Sequence, residues 1–372
     1  MNVMASAAAL EVPRLEVHKL SKAYRSKRAL DGVSFVVPES ALTVILGAAG
    51  AGKTTMLRMV AGLEQPDDGR IMLGGRDSAG IEPKHRNVAM IFDNLALYPN
   101  KTGFQNIANP LRIAGMRQPE IETKVREVAA KLKIAHILGR LPKTMSGGER
   151  QRVALGRALV REPSLFLLDE PLSSLDAMLR IELRAELRRL QKELGYTFVL
   201  ATPDFAEAMA IADTIVLLRE GRVVQIADPQ ALYEQPADRE VAKFVGAPEI
   251  NLVRAHYTPG DGGHVHLEGA RYRAPAALSR RLPRSDLDFE AGLRPEHIRL
   301  SAPADGDLQG RVADIEPLGV DAVVMVATTG AELRLVLPAR SIPNLAAGDV
   351  VGLSIAAEHM LAFDLVTKAR LA

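Results

Sequence analysis

Residues 47–55 read GAAGAGKTT and fit the spacing G-x-x-x-x-G-K-[ST]. Gly47, Gly50 and Gly52, separated only by Ala48, Ala49 and Ala51, allow a turn whose backbone N–H groups point inward around phosphate oxygens. Lys53 is placed to contact the outer phosphates of a nucleotide, and the hydroxyl of Thr54, followed by Thr55, to ligate Mg2+. The plain alternative is a glycine-rich turn without function, which leaves the register of glycines, Lys and Thr unexplained. Residues 165–171, LFLLDEP, are an apolar run from which two carboxylates emerge. A strand ending in Asp-Glu is often only a solvated strand end. Beside a phosphate loop, Asp169 reads as the group holding Mg2+ through water and Glu170 as the group polarising an attacking water. Residues 145–159, MSGGERQRVALGRAL, enter a helix through Ser146, Gly147 and Gly148, whose N–H groups and hydroxyl form an anion site. Ser146 with Glu149 also matches a capping box, and as a cap alone would be unremarkable.

These groups need elements to hold them. LTVILG is a short buried strand ahead of the loop, and a helix runs from Lys53 to about Leu63. RIMLGG and NVAMIF are further strands. From about Phe104 to Ile137 the pattern is helical, with Pro119 at a helix start and Val125, Val128, Ala129 and Leu132 on one face. LFLLDE and TFVLAT are strands. Asp176 opens a helix carrying Leu183, Leu187, Leu190 and Leu194 on one face, and TIVLLREGRVVQIA is a hairpin turning at Glu220-Gly221. The fold class is an α/β core with an inserted helical subdomain at about 94–152, the whole spanning 15–246 after a loose extension at 1–14. After about residue 246 helix signals fade. GDGG marks a turn, VHLEGARYRA and AELRLVLPA alternate with period two, and residues 250–372 read as a small, mostly β, barrel-like domain.

Forty-seven basic against 45 acidic residues argue against a general nucleic-acid binder, and no nucleic-acid partner is expected. The absence of cysteine excludes disulfides and thiolate metal sites. No apolar run reaches the ~18 residues of a membrane span, and MNVMASAAALEV lacks the basic start of a signal peptide. A soluble protein is expected, held at any membrane by partners.

The order GAAGAGKTT, MSGGERQ, LFLLDEP, SSLDA resembles the nucleotide-binding subunits of ATP-binding-cassette transporters. ALYPNKTGFQNIA, the stretch from Asp204 to Pro248 and GLRPEHI resemble the subgroup serving bacterial importers of sugars and polyols, in which OB-like (TOBE-type) β modules follow the ATPase. The resemblance implies ATP and Mg2+ as cofactors and a transport ATPase (translocase) activity. It implies two membrane-spanning permease subunits, an indirect periplasmic solute-binding protein, and a peripheral place on the cytoplasmic face of the bacterial inner membrane. Two cassettes pair head to tail, each ATP lying between the phosphate loop of one and the SGG turn of the other. On that reading Ser146, Gly147, Gly148 and Glu149 serve the partner's ATP. Tyr24 matches the aromatic that stacks on adenine, its alternative being a surface tyrosine at a strand end. Asp176 matches the residue coupling the two sites, alongside its N-cap role.

Two positions depart from the family. Asp93 stands where consensus members carry a Gln that touches Mg2+ and the attacking water. It is a further candidate metal ligand but lacks an amide donor and adds negative charge. Pro203 stands where they carry a His that reaches the γ-phosphate, and it offers no donor. Glu149 in place of Gln is a milder change. The expectation is a chain that binds Mg-ATP at an impaired site of its own and completes the competent site of a consensus second ATPase, as in paired importers of glycerol and similar polyols. The alternatives are a self-sufficient homodimeric sugar importer and a non-transport regulatory cassette.

Overall fold

A computed structural model describes residues 12–25, 27–173, 175–260, 263–282, 284–342 and 345–371. The expected extension lies largely outside these residues, as does the centre of the GDGG turn. The chain divides into two compact units, one up to Gln230 and the other Ala231–Ala372.

The first unit opens with β1 (Leu15–Tyr24), β2 (Lys27–Val37), β3 (Leu42–Leu46), α1 (Lys53–Ala61), β4 (Asp68–Leu73), β5 (Arg76–Asp77) and β6 (Val88–Ile91). The helical insertion follows with α2 (Gly103–Ile113), α3 (Gln118–Lys131) and α4 (Gly147–Leu159). The unit ends with β7 (Leu165–Asp169), α5 (Ala177–Leu194), β8 (Phe198–Thr202), α6 (Phe205–Ile211), β9 (Thr214–Arg219) and β10 (Arg222–Ala227). One sheet is antiparallel, in the order β2-β1-β4-β5; the other is β10-β9-β3-β8-β7-β6, parallel apart from the β9–β10 hairpin. Every residue of β3, β7 and β8 is buried, which is why these strands read as unbroken apolar runs rather than alternating ones. Helix α1 packs Met56, Leu57, Met59 and Val60 into a core shared by both sheets.

Register sets the place of the site. Leu46 pairs with Thr202 and Asp169 with Ala201, so β3, β7 and β8 end along one edge. Their loops emerge together at the carboxyl ends of parallel strands, the usual ligand edge of such sheets.

In the insertion, Thr102 and Gln105 form a capping box on α2, and Pro119 lies in the first turn of α3. A Cβ at Gly156 would come within 3.1 Å of Ile107 Cδ1, so the glycine permits the close approach of α2 and α4. The leucine face of α5 departs from expectation at one end. Leu183, Leu187 and Leu190 are buried, but Leu194 is 39% exposed, because the helix stops there on a left-handed Gly195 and the apolar stripe runs past the sheet. The β9–β10 turn falls at Glu220 and Gly221, both with positive φ.

The helix α7 (Pro229–Glu234) crosses the division between units. The second unit then contains α8 (Arg239–Phe244), β11 (Asn251–Thr258), β12 (His264–Leu267), β13 (Ala270–Arg273), α9 (Ala276–Arg281) and β14 (Leu287–Leu293). It continues with β15 (Ile298–Ser301), β16 (Leu308–Pro317), β17 (Asp321–Ala327), β18 (Glu332–Pro338), β19 (Val350–Ile355) and β20 (Leu361–Phe363). The strands form two antiparallel five-stranded sheets, β13-β12-β11-β14-β20 and β15-β19-β16-β17-β18, around one core. Arg294, from GLRPEHI, is buried among backbone acceptors: its guanidinium donates to Tyr233 O (2.8 Å), Ala242 O (2.9 Å) and Val245 O (3.2 Å) and stacks 3.8 Å from the Tyr233 ring. Among the described residues, no helix is long and apolar enough to cross a membrane.

Candidate nucleotide site

The loop after β3 is shaped by close approaches. Gly47 donates its N–H to Thr202 O (3.3 Å), and a Cβ there would sit 2.4 Å from Leu218 O. Gly52 has φ 104° and a Cβ would lie 2.5 Å from Ala29 O. This glycine is also the N-cap of α1 and provides no side-chain cap. The first helical backbone bond runs from Met56 N–H to Gly52 O (2.9 Å), so the N–H groups of Lys53, Thr54 and Thr55 have no acceptor within the helix. Together with the helix dipole they form an anion cradle.

Lys53 is buried, and its ammonium donates to Gly47 O (2.8 Å) and Ala48 O (3.2 Å). It also lies 3.6 Å from Glu170 Oε1. Thr54 Oγ1 donates to Asp169 Oδ1 at 3.0 Å. Burial pushes the Asp169 carboxyl up; Thr54 opposes this, while the negative charges of Glu170 and Asp93 push it further. Glu170 holds φ 45°, a left-handed conformation costing a non-glycine residue about 1–3 kcal/mol. Its N–H donates to Ala201 O (2.9 Å) and its carbonyl accepts from Ser173 Oγ (2.9 Å), which fix the strained peptide.

Asp93 lies in the exposed turn after β6 and accepts from the N–H of Asn94 (2.8 Å). The turn is held by Arg157, which donates to Leu95 O (2.7 Å) and Ala96 O (2.6 Å), two residues with positive φ. Beside it an open groove of about 600 Å³ is lined by Met90, Tyr98, Pro110, Ile113, Ala114 and Arg157.

Pro203 is half-buried between β8 and α6. The residue before it, Thr202, donates through Oγ1 to Glu207 Oε2 (2.7 Å) and accepts the Asp204 N–H at the same oxygen (3.1 Å). Asp204 caps α6 by accepting from Ala206 N–H (2.8 Å) and Glu207 N–H (3.1 Å). Sequence reasoning missed Glu207. It is only 3% exposed, one carboxylate oxygen has no partner, and burial pushes its carboxyl up to about 7. The signal was the Asp-x-x-Glu spacing of residues 204–207, which reads as a solvated helix start.

Ser146 and Glu149 form a complete capping box on α4: Ser146 Oγ accepts from Glu149 N–H (3.2 Å), and Glu149 Oε2 accepts from Ser146 N–H (2.7 Å). The Ser146 turn abuts the Asp176 turn, since Cβ atoms at Gly147 and Gly148 would meet Leu175 (3.4 Å) and Leu179 (2.8 Å). Asp176 caps α5 by accepting from Leu179 N–H at 3.0 Å. Tyr24 is exposed, hydrogen-bonded to Glu64, with the Thr55 hydroxyl also acting on its phenol. The structure therefore groups Lys53, Thr54, Asp169 and Glu170, with Asp93 felt electrostatically and Tyr24 against Thr55. Ser146 and Asp176 form a separate cluster.

The donor set fits a divalent cation. Thr54 and Asp169 offer hard oxygens amid excess negative charge. Among the described residues no three His, Asp or Glu side chains come together as a metal cage.

Residues 30–173 match the ABC transporter family and residues 291–363 the TOBE domain family. The chain is 39% identical to the sn-glycerol-3-phosphate import ATP-binding protein UgpC of Ralstonia nicotianae, covering 96% of this chain and 98% of that protein. It is 38% identical to an uncharacterized ABC transporter ATP-binding protein, YurJ, of Bacillus subtilis, over 95% and 98% of the two chains. Among solved structures, it is similar to a dimeric ATP-binding cassette in a post-hydrolysis state bound to ADP and Pi. That match has a TM-score of 0.53 and 26% identity, over 58% of this chain and 98% of that one.

Proposed function

This chain belongs to the ABC transporter family as an ATP-binding protein with a C-terminal TOBE domain, and we propose that it powers a bacterial importer for a small polar solute of the glycerol-phosphate, polyol or sugar class. The observation that carries the proposal is the grouping of Lys53, Thr54, Asp169 and Glu170 at the carboxyl edge of the parallel sheet. In this reading the 47–55 loop cradles the phosphates, Lys53 meets the outer ones, Tyr24 stacks on the base and Glu170 polarises the attacking water. Thr54 and Asp169 would hold Mg2+, with Asp93 a further candidate. The ion supplies positive charge against the phosphate oxygens. The groove beside the Asp93 turn is a docking place for a permease subunit at the cytoplasmic face of the inner membrane. A periplasmic binding protein delivers the solute from the other side.

The site is read as impaired for hydrolysis. Asp93 contributes a second carboxylate, beside Glu170, felt by Asp169, and Pro203 brings no donor to the turn that touches the phosphate loop. Loss of one positioned donor costs on the order of 3 kcal/mol of barrier. The Ser146–Gly148 turn retains its donors, so a consensus second ATPase would gain one competent site from this chain. A second reading pairs two copies of this chain in a self-sufficient importer. The end-to-end match to proteins named for sn-glycerol-3-phosphate import favours it.

The test is the purified chain with Mg-ATP. Binding that is weakened by Lys53→Ala, with very slow turnover, is expected. Unchanged affinity in Lys53→Ala would overturn the loop assignment. Brisk turnover abolished by Glu170→Gln would select the self-sufficient pair.

A further inference from the structure

The first turn of α4 carries a carboxylate where an anion site would want none. Glu149 is the third residue of the helix, and its carboxylate sits over the Ser146 N–H. The capping box uses the N–H groups of Ser146 and Glu149 and leaves those of Gly147 and Gly148, which have no acceptor within the helix by position. A phosphate approaching these two N–H groups and the Ser146 hydroxyl would meet the Glu149 charge a few ångströms away. Unopposed, that charge offsets the attraction of the positive helix end for an incoming anion.

The structure supplies an opposing charge. Arg140, in the loop before α4, donates from Nη1 to Glu149 Oε1 at 3.0 Å, and His136 Nε2 lies 3.9 Å from the same oxygen. One Glu149 oxygen is thus taken by the Ser146 N–H and the other by Arg140. The carboxylate is turned along the helix start, and its charge is matched by the Arg140 guanidinium. The Arg140 side chain is exposed, while its backbone carbonyl accepts from the Gly103 N–H at the start of α2 (2.9 Å).

Resting on the reading that the Ser146–Gly148 turn meets the triphosphate held by another cassette, we infer that Arg140 is a positioning residue for that turn: it neutralises and holds Glu149 so that the turn can receive an anion. Arg140 acts through Glu149 and does not touch the nucleotide. The carboxylate makes Arg140 necessary, so a neutral residue at 149 removes the need for it. Gln keeps the capping box, since either Glu or Gln closes it. Charge and capping can therefore be separated.

The experiment compares Arg140→Gln, Arg140→Lys, Glu149→Gln, Arg140→Gln/Glu149→Gln and Ser146→Arg in the transporter purified with its membrane subunits. It measures ATPase rate and, separately, binding of a fluorescent ATP analogue to this chain's own loop. Arg140→Gln should lower the ATPase rate about tenfold, with own-loop binding unchanged. Arg140→Lys should retain most of the rate, and Arg140→Gln/Glu149→Gln should recover from the rate of Arg140→Gln to that of Glu149→Gln alone, because without the carboxylate the guanidinium has nothing to hold. A full rate in Arg140→Gln, or a double variant as slow as the single one, would overturn the inference. Ser146→Arg separates it from its premise. A full rate there would mean that the turn meets no triphosphate, whereas loss there with a full rate in Arg140→Gln would refute only the role of Arg140.

Discussion

Glu207→Gln should make the first unit more stable at pH 8 and leave it nearly unchanged near pH 4. Glu207 is buried at the start of α6 with one oxygen unpartnered. Burial moves its carboxyl from the ordinary 4.5 to about 7, Asp204 adds to the shift, and Thr202, Arg180 and Arg184 oppose it. The folded protein therefore holds this proton more tightly than the unfolded chain does. The stability linked to that proton is fully present below about pH 4.5 and is lost as pH rises through 7. At about 1.4 kcal/mol per pH unit of displacement, the ionised folded state is costlier by about 3 kcal/mol at pH 8. Gln cannot ionise and can still accept from the Thr202 hydroxyl, so the advantage of Glu207→Gln should grow from about zero at pH 4 toward about 3 kcal/mol at pH 8. Urea unfolding of both proteins at four pH values in that range measures the difference, which cancels every other titrating group. A difference that does not change with pH would refute the argument, because it would mean that Glu207 is ionised throughout.

Gly52→Ala should destabilise the first unit by about 2–4 kcal/mol and abolish ATP-analogue binding, since a Cβ at φ 104° would lie 2.5 Å from the Ala29 carbonyl. Parent-like melting and binding would show that the loop relaxes freely. At the altered site, Asp93→Gln with Pro203→His should recover far more hydrolysis than Pro203→His alone, because groups acting together are non-additive. Single-turnover rates of the three chains decide this, and full recovery from the single change would make Asp93 benign. In a transporter with a consensus partner, Glu170→Gln here should barely slow uptake into proteoliposomes while the matching change in the partner stops it. Equal damage would mean that both sites cycle.

The grouping of Lys53, Thr54, Asp169 and Glu170 was legible in the sequence because each motif is local and its strand or helix is announced by neighbouring residues. Parallel strands with buried faces then bring their ends to one edge. What was not legible depends on contacts between distant segments. The spacing Asp204–Glu207 announces a helix start, but only the packing of α6 against β8 shows that the glutamate is buried against Thr202. Ser146 and Glu149 were readable as a cap, whereas Arg140 enters only through the path of the preceding loop. Leu194 continues the periodicity of α5 yet stays exposed, because periodicity does not report where the opposing surface ends.

The Arg294 clasp has a consequence for excision. The arginine belongs to the β sheets, but its acceptors at Tyr233, Ala242 and Val245 precede the first of those strands. A fragment begun at residue 250 would keep the guanidinium and discard every one of those carbonyls, stranding a cation in a pocket built for three bonds. A fragment begun at Ala231 would carry lock and key together. If the β unit has been exchanged among cassettes as a portable part, the inherited piece would include the helical preface, and a graft joined at the first strand would lack its fastening.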